Sequence, residues 1–304
     1  MPKGVYDQIR LFVVYTLLMR AGTILSTRLN ERLDHDDSRY VYRHRRFGGL
    51  LAGLLGIGGG LIVVPVLVVS FTMQGFAPDV IMPLGVGTSL ATIVVTSSVS
   101  IRAHHARGNI DWRIFKPTAP GIFVGAVLGL TLSATAPTQL MQIAFVAYAS
   151  FVALNLLTTP EMPAARRAVS DATFAATGAV VGFVSMLVGV AGASLSVPFM
   201  LWSKVPARLA MGTSAALGLP IAVLGTVGYA TTGAMKGVAV PDAVGYIYVP
   251  AFIAIVLAGT VAAPLGVRMA HLLHVDVLKK IFAAVLILTA TRMLLELNVS
   301  VLHG

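Results

Sequence analysis

Apolar residues in this chain come in long continuous runs separated by short polar stretches. A membrane β-barrel would instead show segments of about ten residues with alternating polarity. Eight runs stand out, at about 47–71, 80–101, 115–134, 139–158, 172–201, 207–231, 244–267 and 277–297. About 20 apolar residues cross the hydrocarbon core as a straight helix, so each run predicts a membrane helix. Two stretches exceed that need. Phe47 to Pro78 and Ala172 to Ser203 each hold 32 residues without Asp, Glu, Lys or Arg. Each has room for a span with a break inside it.

The same wording sits inside both stretches: GIGGGLIVVP at 56–65 and GVAGASLSVP at 189–198. Gly56 aligns with Gly189, Gly59 with Gly192 and Pro65 with Pro198. One segment later, Gly87-Thr88-Ser89 aligns with Gly212-Thr213-Ser214. Further on, GAVLG (125–129) matches AAPLG (262–266), and LMQI (140–143) matches LKKI (278–281). The chain therefore divides into an N-terminal basic extension (1–46), a first repeat (47–158) and a second (172–297). Glycine interruptions at matching places in two halves point to a transporter's binding site at the repeat interface.

Composition agrees: 57% of residues are hydrophobic and only 11% charged, with a mean hydropathy of +0.86. Soluble domains carry roughly 25% charged residues. The fold class expected is an all-α integral membrane protein of about eight segments, with helices broken at the glycine motifs. There is no cysteine, hence no disulfide, thiolate metal site or thiol redox centre. Within the extension, Leu11–Thr27 carries Arg20 in its middle; it predicts a short span or, favoured by that charge, an interfacial helix. No signal-peptide pattern is present there.

The net charge of +10 would suggest nucleic acid for a soluble protein. Here the basic residues lie between apolar runs, so the positive-inside rule explains them and no nucleic acid is expected. Arg39, Arg43, Arg45 and Arg46 precede the first long span; Arg102, Arg107, Arg113 and Lys116 separate the second and third. Simple counting places Lys204, Arg208, Arg268, Lys279 and Lys280 outside. Inverted halves bring them inside, provided one first-half segment doubles back. Four full crossings per half give parallel repeats. Charge favours inversion without deciding it.

The candidate site is built from backbone and hydroxyls. Breaking a membrane helix frees N–H groups that need partners or a polar cavity. Gly56, Gly58, Gly59 and Gly60 allow such a break and close approach of a ligand. A half-helix starting near Leu61 would point its positive end at the cavity, with Pro65 tolerated near its start. Gly189 and Gly192 mark the second break, where Ala191 and Ala193 replace glycine and Ser194 adds a hydroxyl. Thr88, Ser89, Thr213 and Ser214 add donors. The competing reading makes the glycines helix-packing positions and the hydroxyls back-bonds to their own helix. His104 and His105 lie in a basic loop where Asp111 and Trp112 mark the membrane surface. Asn155 reads as an interhelical hydrogen bond. The acids after residue 46 all fall near segment ends, so no midplane proton relay is expected, and no Walker A motif is present. No metal site and no cofactor are expected.

The stretches GLLAGLLGIGGGLIVVPVLVV, GVGTSLATIVVTSSVSIRAHHARGNIDW, GTSAALGLPIAVLGTVGYA and GYIYVPA…APLGVRMAH resemble the sulfite exporter TauE/SafE family of bacterial permeases, over about residues 47–297. The resemblance implies a multi-pass permease of the bacterial inner membrane, carrying sulfite, organosulfonates or related organosulfur anions. Its motifs fall on Gly56–Gly60, Thr88 and Ser89, then on Gly189–Gly192, Thr213 and Ser214.

The reading is a secondary transporter, not an enzyme, for small sulfur-containing anions, working by alternating access between two repeats. Its partners are a small anionic substrate and the lipid bilayer; a homo-oligomer is left open. Without a visible coupling ion, the membrane potential leans the direction towards export, about 2.3 kcal/mol per charge per 100 mV. The alternatives are a carrier for another small anion or for a cation or metal, and more remotely an intramembrane serine hydrolase using a serine after Gly-x.

Overall fold

A computed structural model of the chain describes residues 60–158 and 169–257, with isolated positions between 283 and 293. Gly56, Gly58, Gly59, the extension 1–46 and most of the last apolar run lie outside the described residues. The elements, in order, are α1 (Gly60–Met73), α2 (Pro78–Ala106), α3 (Trp112–Thr135), α4 (Thr138–Thr158), α5 (Asp171–Val188), α6 (Ala193–Trp202) and α7 (Ala207–Met235). A two-residue strand pair follows, β1 (Ala243–Val244) and β2 (Ile247–Tyr248), antiparallel. Residues 249–257, here α8, are helical, as are the described positions between 283 and 293. Among the described residues, α2, α3, α4, α5 and α7 are long and apolar enough to cross a membrane. Phe123, Val124, Val127 and Leu128 of α3 and Phe151 and Leu154 of α4 face outward. In water such a surface would drive association, and in a bilayer it is the ordinary lipid face. The protein is an all-α, multi-pass membrane protein.

Local chemistry sets the helix ends. Pro78 opens α2, where a missing N–H costs nothing, and Asp79 sits in its first turn against the positive helix end. Asp111 caps α3 by accepting from the Arg113 amide at 2.9 Å. Ser170 caps α5 by accepting from the Thr173 amide.

Contacts fix the direction of each helix. Gly87 of α2 packs on Tyr229 of α7, Leu90 on Gly225, and Ser97 lies near Gly218. As one number rises the other falls, so α2 and α7, the bearers of the two Gly-Thr-Ser motifs, run antiparallel. Gly121, Gly125 and Gly129 of α3 meet Ala175, Ala179 and Phe183 of α5, so this pair runs parallel. Its contact is backbone on backbone: a Cβ at Gly125 would fall 1.8 Å from the Ala179 carbonyl oxygen. This i, i+4 repetition of small residues is the close-packing pattern of membrane helices.

The run 172–201 is not one straight span. Helix α5 ends at Val188, and α6 turns back along it: the Phe174 and Phe199 rings lie 5.7 Å apart, and Gly192 packs against Val181 and Ser185. Both ends of this α5–α6 hairpin therefore lie at the same face. Helix α6 has 10 residues, about 15 Å, or half the hydrocarbon thickness. Helix α1, with 14 residues, packs antiparallel on α2 through Val64, Leu67 and Val68 against Gly85. It ends at the opposite face. Pro198 occupies the sixth position of α6, and Pro65 lies inside α1.

These directions also sort the charges. The α2–α3 connection, the start of α5 and the α6–α7 connection share one face, which carries Arg102, Arg107, Arg113, Lys116, Lys204 and Arg208. Lys236 is the described basic residue at the other face, beside Asp79 and Asp242. The basic face is cytoplasmic by the positive-inside rule. Doubling back thus puts Lys204 and Arg208 inside, against simple counting.

One feature departs from the sequence expectation. The run at 244–267 begins with the β1–β2 hairpin rather than helix. Its Tyr246 and Tyr248 are buried, and it reaches inward from the outer face to α2 and α7.

Candidate functional site

The centre of the molecule is the turn between α5 and α6. Gly189 closes α5 with φ +79°, and Gly192 opens α6 with φ +71°. Both lie in the left-handed region that a Cβ disfavours. Space is short as well. A Cβ at Gly189 would meet Val64 and Val86 at 2.9 and 3.0 Å, and one at Gly192 would meet Val181 at 2.3 Å. The second glycine motif is therefore a helix break held between α1, α2, α5 and α7. In the first motif, Gly60 is the first described residue and is helical, while Gly56, Gly58 and Gly59 lie outside the described residues.

Several backbone groups at this break have partners outside their own helix. On the carbonyl side, the Ser185 oxygen accepts from the amides of Gly189 and Val190. The Met186 oxygen accepts from the Tyr229 hydroxyl at 2.7 Å, and the Gly189 oxygen accepts from the Ser89 hydroxyl at 2.8 Å. The Gly192 oxygen accepts from Leu195, Ser196 and the Ser196 hydroxyl. On the amide side, no described residue accepts from the N–H groups of Ala191, Gly192, Ala193 or Ser194. Two carbonyls at the end of α5 thus accept hydroxyls from two other helices, while no described residue accepts at the positive end of α6. An acceptor-rich ligand suits that end.

Hydroxyls surround this end. Ser194 is hydrogen-bonded to Tyr148 of α4. Ser214 lies 2.6 Å from Ser196, whose own proton goes to the Gly192 oxygen, so Ser214 donates to Ser196. Ser185 differs: its Oγ is fully buried with no hydrogen-bond partner. Leaving a buried hydroxyl unsatisfied costs about 1–3 kcal/mol.

The two threonines have a different geometry. Thr88 accepts from the Tyr248 amide at 2.9 Å, and Thr213 accepts from the Asp111 amide at 2.8 Å. Beside them, a Cβ at Gly87 would fall 2.3 Å from the Tyr246 carbonyl oxygen, and one at Gly212 would fall 2.0 Å from that of Asn109. Each Gly-Thr pair therefore seats the loop that follows the other motif's helix. Both threonines are buried and keep one proton each to donate. Burial, and next the Asp79 carboxylate, push the Tyr246 phenol above its ordinary range, so it stays neutral.

Of the expected residues, the structure gathers Ser89, Gly189, Gly192, Ser194 and Ser214 at one break, and holds Thr88 and Thr213 at two loop contacts. His105 lies edge-on to Trp112, with Asp111 capping α3 beside them. Sequence reasoning did not single out Ser185, Ser196, Tyr148 and Tyr229. It also passed over the seam Gly121, Gly125, Gly129 with Gly178 and Gly182, although its four-residue spacing was a readable signal.

Apolar spans, a doubled-back helix pair and a polar break inside the protein define a multi-pass membrane transporter. The family model "Sulfite exporter TauE/SafE" matches residues 46–293, and the chain belongs to this family. It is 29% identical over 249 residues to a probable membrane transporter protein of Haemophilus influenzae, covering 82% of this chain and 94% of that one. It is 27% identical over 229 residues to a probable membrane transporter protein of Methanocaldococcus jannaschii, covering 71% and 78%. A third relative, the probable membrane transporter protein YunE of Bacillus subtilis, is 27% identical over 209 residues, covering 61% and 77%. No solved structure matches the chain. The bacterial inner membrane is the usual setting of such a protein.

Proposed function

We propose that this transporter is a secondary carrier of small anions, sulfur oxyanions such as sulfite or organosulfonates, moved by alternating access between two inverted halves. One observation carries the reading: at the α5–α6 break no described residue accepts from the amides of Ala191, Gly192, Ala193 and Ser194, which stand at the positive end of α6. A neutral site of amides and hydroxyls can hold an anion without a buried Lys or Arg, and it asks only for acceptor oxygens. Ser89, Gly192, Ser194 and Ser214 are the residues proposed to line it. Gly56, Gly58, Gly59, Gly60, Thr88, Gly189 and Thr213 are proposed to shape it. The antiparallel course of α2 and α7 supports inversion, as do α1 and the short helix α6 ending at opposite faces. In this reading the halves 47–158 and 172–297 rock about the reciprocal loop contacts at Thr88 and Thr213.

The alternatives fit less well. A cation would face the positive end of α6, and two carbonyls of the break, those of Met186 and Gly189, already accept from Tyr229 and Ser89. A serine hydrolase needs a base within reach, and the recorded partners of Ser89, Ser194 and Ser214 are a carbonyl, a tyrosine and a serine. Purified protein in liposomes is expected to move sulfite or methanesulfonate above the rate of empty vesicles, and Ser214→Ala to slow that flux. A broad anion panel with no flux above background would refute the reading.

A further inference from the structure

We propose that Ser185 is an anion-binding residue, its hydroxyl donating to the same oxyanion as the open amides of Ala191, Gly192, Ala193 and Ser194; this rests on the anion-carrier reading above. The motif pattern points past Ser185, since it lies in the body of α5, four residues before the break. A serine there ordinarily gives its proton to the carbonyl four residues earlier. Thr72, Ser98, Thr118, Ser203 and Thr226 all do so in this protein, at 2.7–2.9 Å. Ser185 does not, although it is fully buried and on a regular helix.

Its surroundings say where the hydroxyl is directed. The Oγ lies 3.0 Å from the place a Cβ on Gly192 would take. It therefore faces the first residue of α6, whose amides lack described acceptors. Gly192, with φ +71°, is what lets the two approach. The nearby carbonyls of Met186, Gly189 and Gly192 already accept other protons. A donor without an acceptor thus stands beside four more donors without acceptors. Like donors do not satisfy one another, and one ligand with several acceptor oxygens satisfies them together.

The chemistry separates Ser185 from a packing residue. Removing an unsatisfied hydroxyl from a buried site does not weaken a fold, whereas removing a donor to a charged ligand weakens binding. The test measures thermal stability and apparent affinity of purified protein in detergent, titrated with sulfite, thiosulfate and methanesulfonate, with chloride as the non-oxyanion control. Ser185→Ala is expected to leave the ligand-free melting temperature equal or higher, and to weaken oxyanion binding about tenfold or more. Ser185→Cys keeps the size with a poorer donor, and is expected to fall between the two. If wild-type binds an oxyanion and either variant binds it equally well, Ser185 is not a ligand and only this inference is lost. A lower ligand-free melting temperature with unchanged affinity also overturns it. If wild-type binds none of the three oxyanions, the anion-carrier reading falls and takes the inference with it.

Discussion

The two Gly-Thr-Ser motifs are the same three residues put to partly different use. Their glycines and threonines are mirror images. Gly87-Thr88 receives the hairpin at Tyr246–Tyr248, and Gly212-Thr213 receives the loop at Asn109–Asp111, each through one backbone approach and one amide-to-hydroxyl bond. Their serines break the symmetry. Ser89 crosses to the other half and bonds the Gly189 carbonyl, while Ser214 stays in its own half and bonds Ser196. Both serines thus serve the described break between α5 and α6. A seam made with backbone atoms tolerates sequence divergence in the loop it holds, because every loop residue offers an N–H and a C=O. A site made with side chains has no such freedom. Duplicated motifs can keep matching backbone contacts while their serines take different partners.

The mirror part of the comparison predicts the largest effects. Gly87→Val and Gly212→Val each drive a side chain into a carbonyl oxygen of a neighbouring loop, where backbone must move. Each is expected to cost about 3 kcal/mol or more, read as loss of the monodisperse peak in size-exclusion chromatography of detergent extracts. Gly108→Ala sharpens this. Its Cβ meets nothing within 4 Å, so only the left-handed backbone is strained, at about 1–2 kcal/mol. A Gly108 variant as damaging as the other two would mean that the clash was not the cause.

Thr88→Val and Thr213→Val come next. Each keeps the shape and removes the acceptor of one loop amide, those of Tyr248 and Asp111. The expected loss is about 1–3 kcal/mol for each, with similar drops in melting temperature. A large drop for one and none for the other would show that the two seams are not equivalent.

How much of this could be read beforehand depends on which interaction made each element. The spans were legible because a bilayer demands long apolar runs, and the second break because glycine was needed at 189 and 192. Doubling back was legible only as a condition for inversion, since whether α6 continues or returns depends on Phe174 meeting Phe199 and Gly192 meeting Val181. The hairpin at 243–248 was hidden: Ala-Val-Gly-Tyr-Ile-Tyr is apolar enough to extend the following helix. What makes it a plug is the Gly-Thr seat on α2, 160 residues away in sequence. Ser185 was hidden for the opposite reason. A serine in an apolar helix reads as a back-bonded residue, and only the absence of that bond marks it.

The serines give the smallest stability effects and the sharpest contrast. Ser89→Ala strips the Gly189 carbonyl of its donor and leaves a bare acceptor at the break, a loss of about 1–3 kcal/mol. Ser214→Ala removes one donor to Ser196, but Ser196 keeps its bond to the Gly192 oxygen, so the expected loss is that of one hydrogen bond, about 0.5–1.5 kcal/mol. If both hydroxyls only stabilised the fold, flux into liposomes would follow stability, and the Ser214 variant would transport nearly as well as wild-type. If the break is the transport site, flux falls in both, and the Ser214 variant loses transport far beyond what its small drop in melting temperature explains. That dissociation separates a transport site from a packing motif, because a packing hydroxyl has no means of changing flux without changing stability.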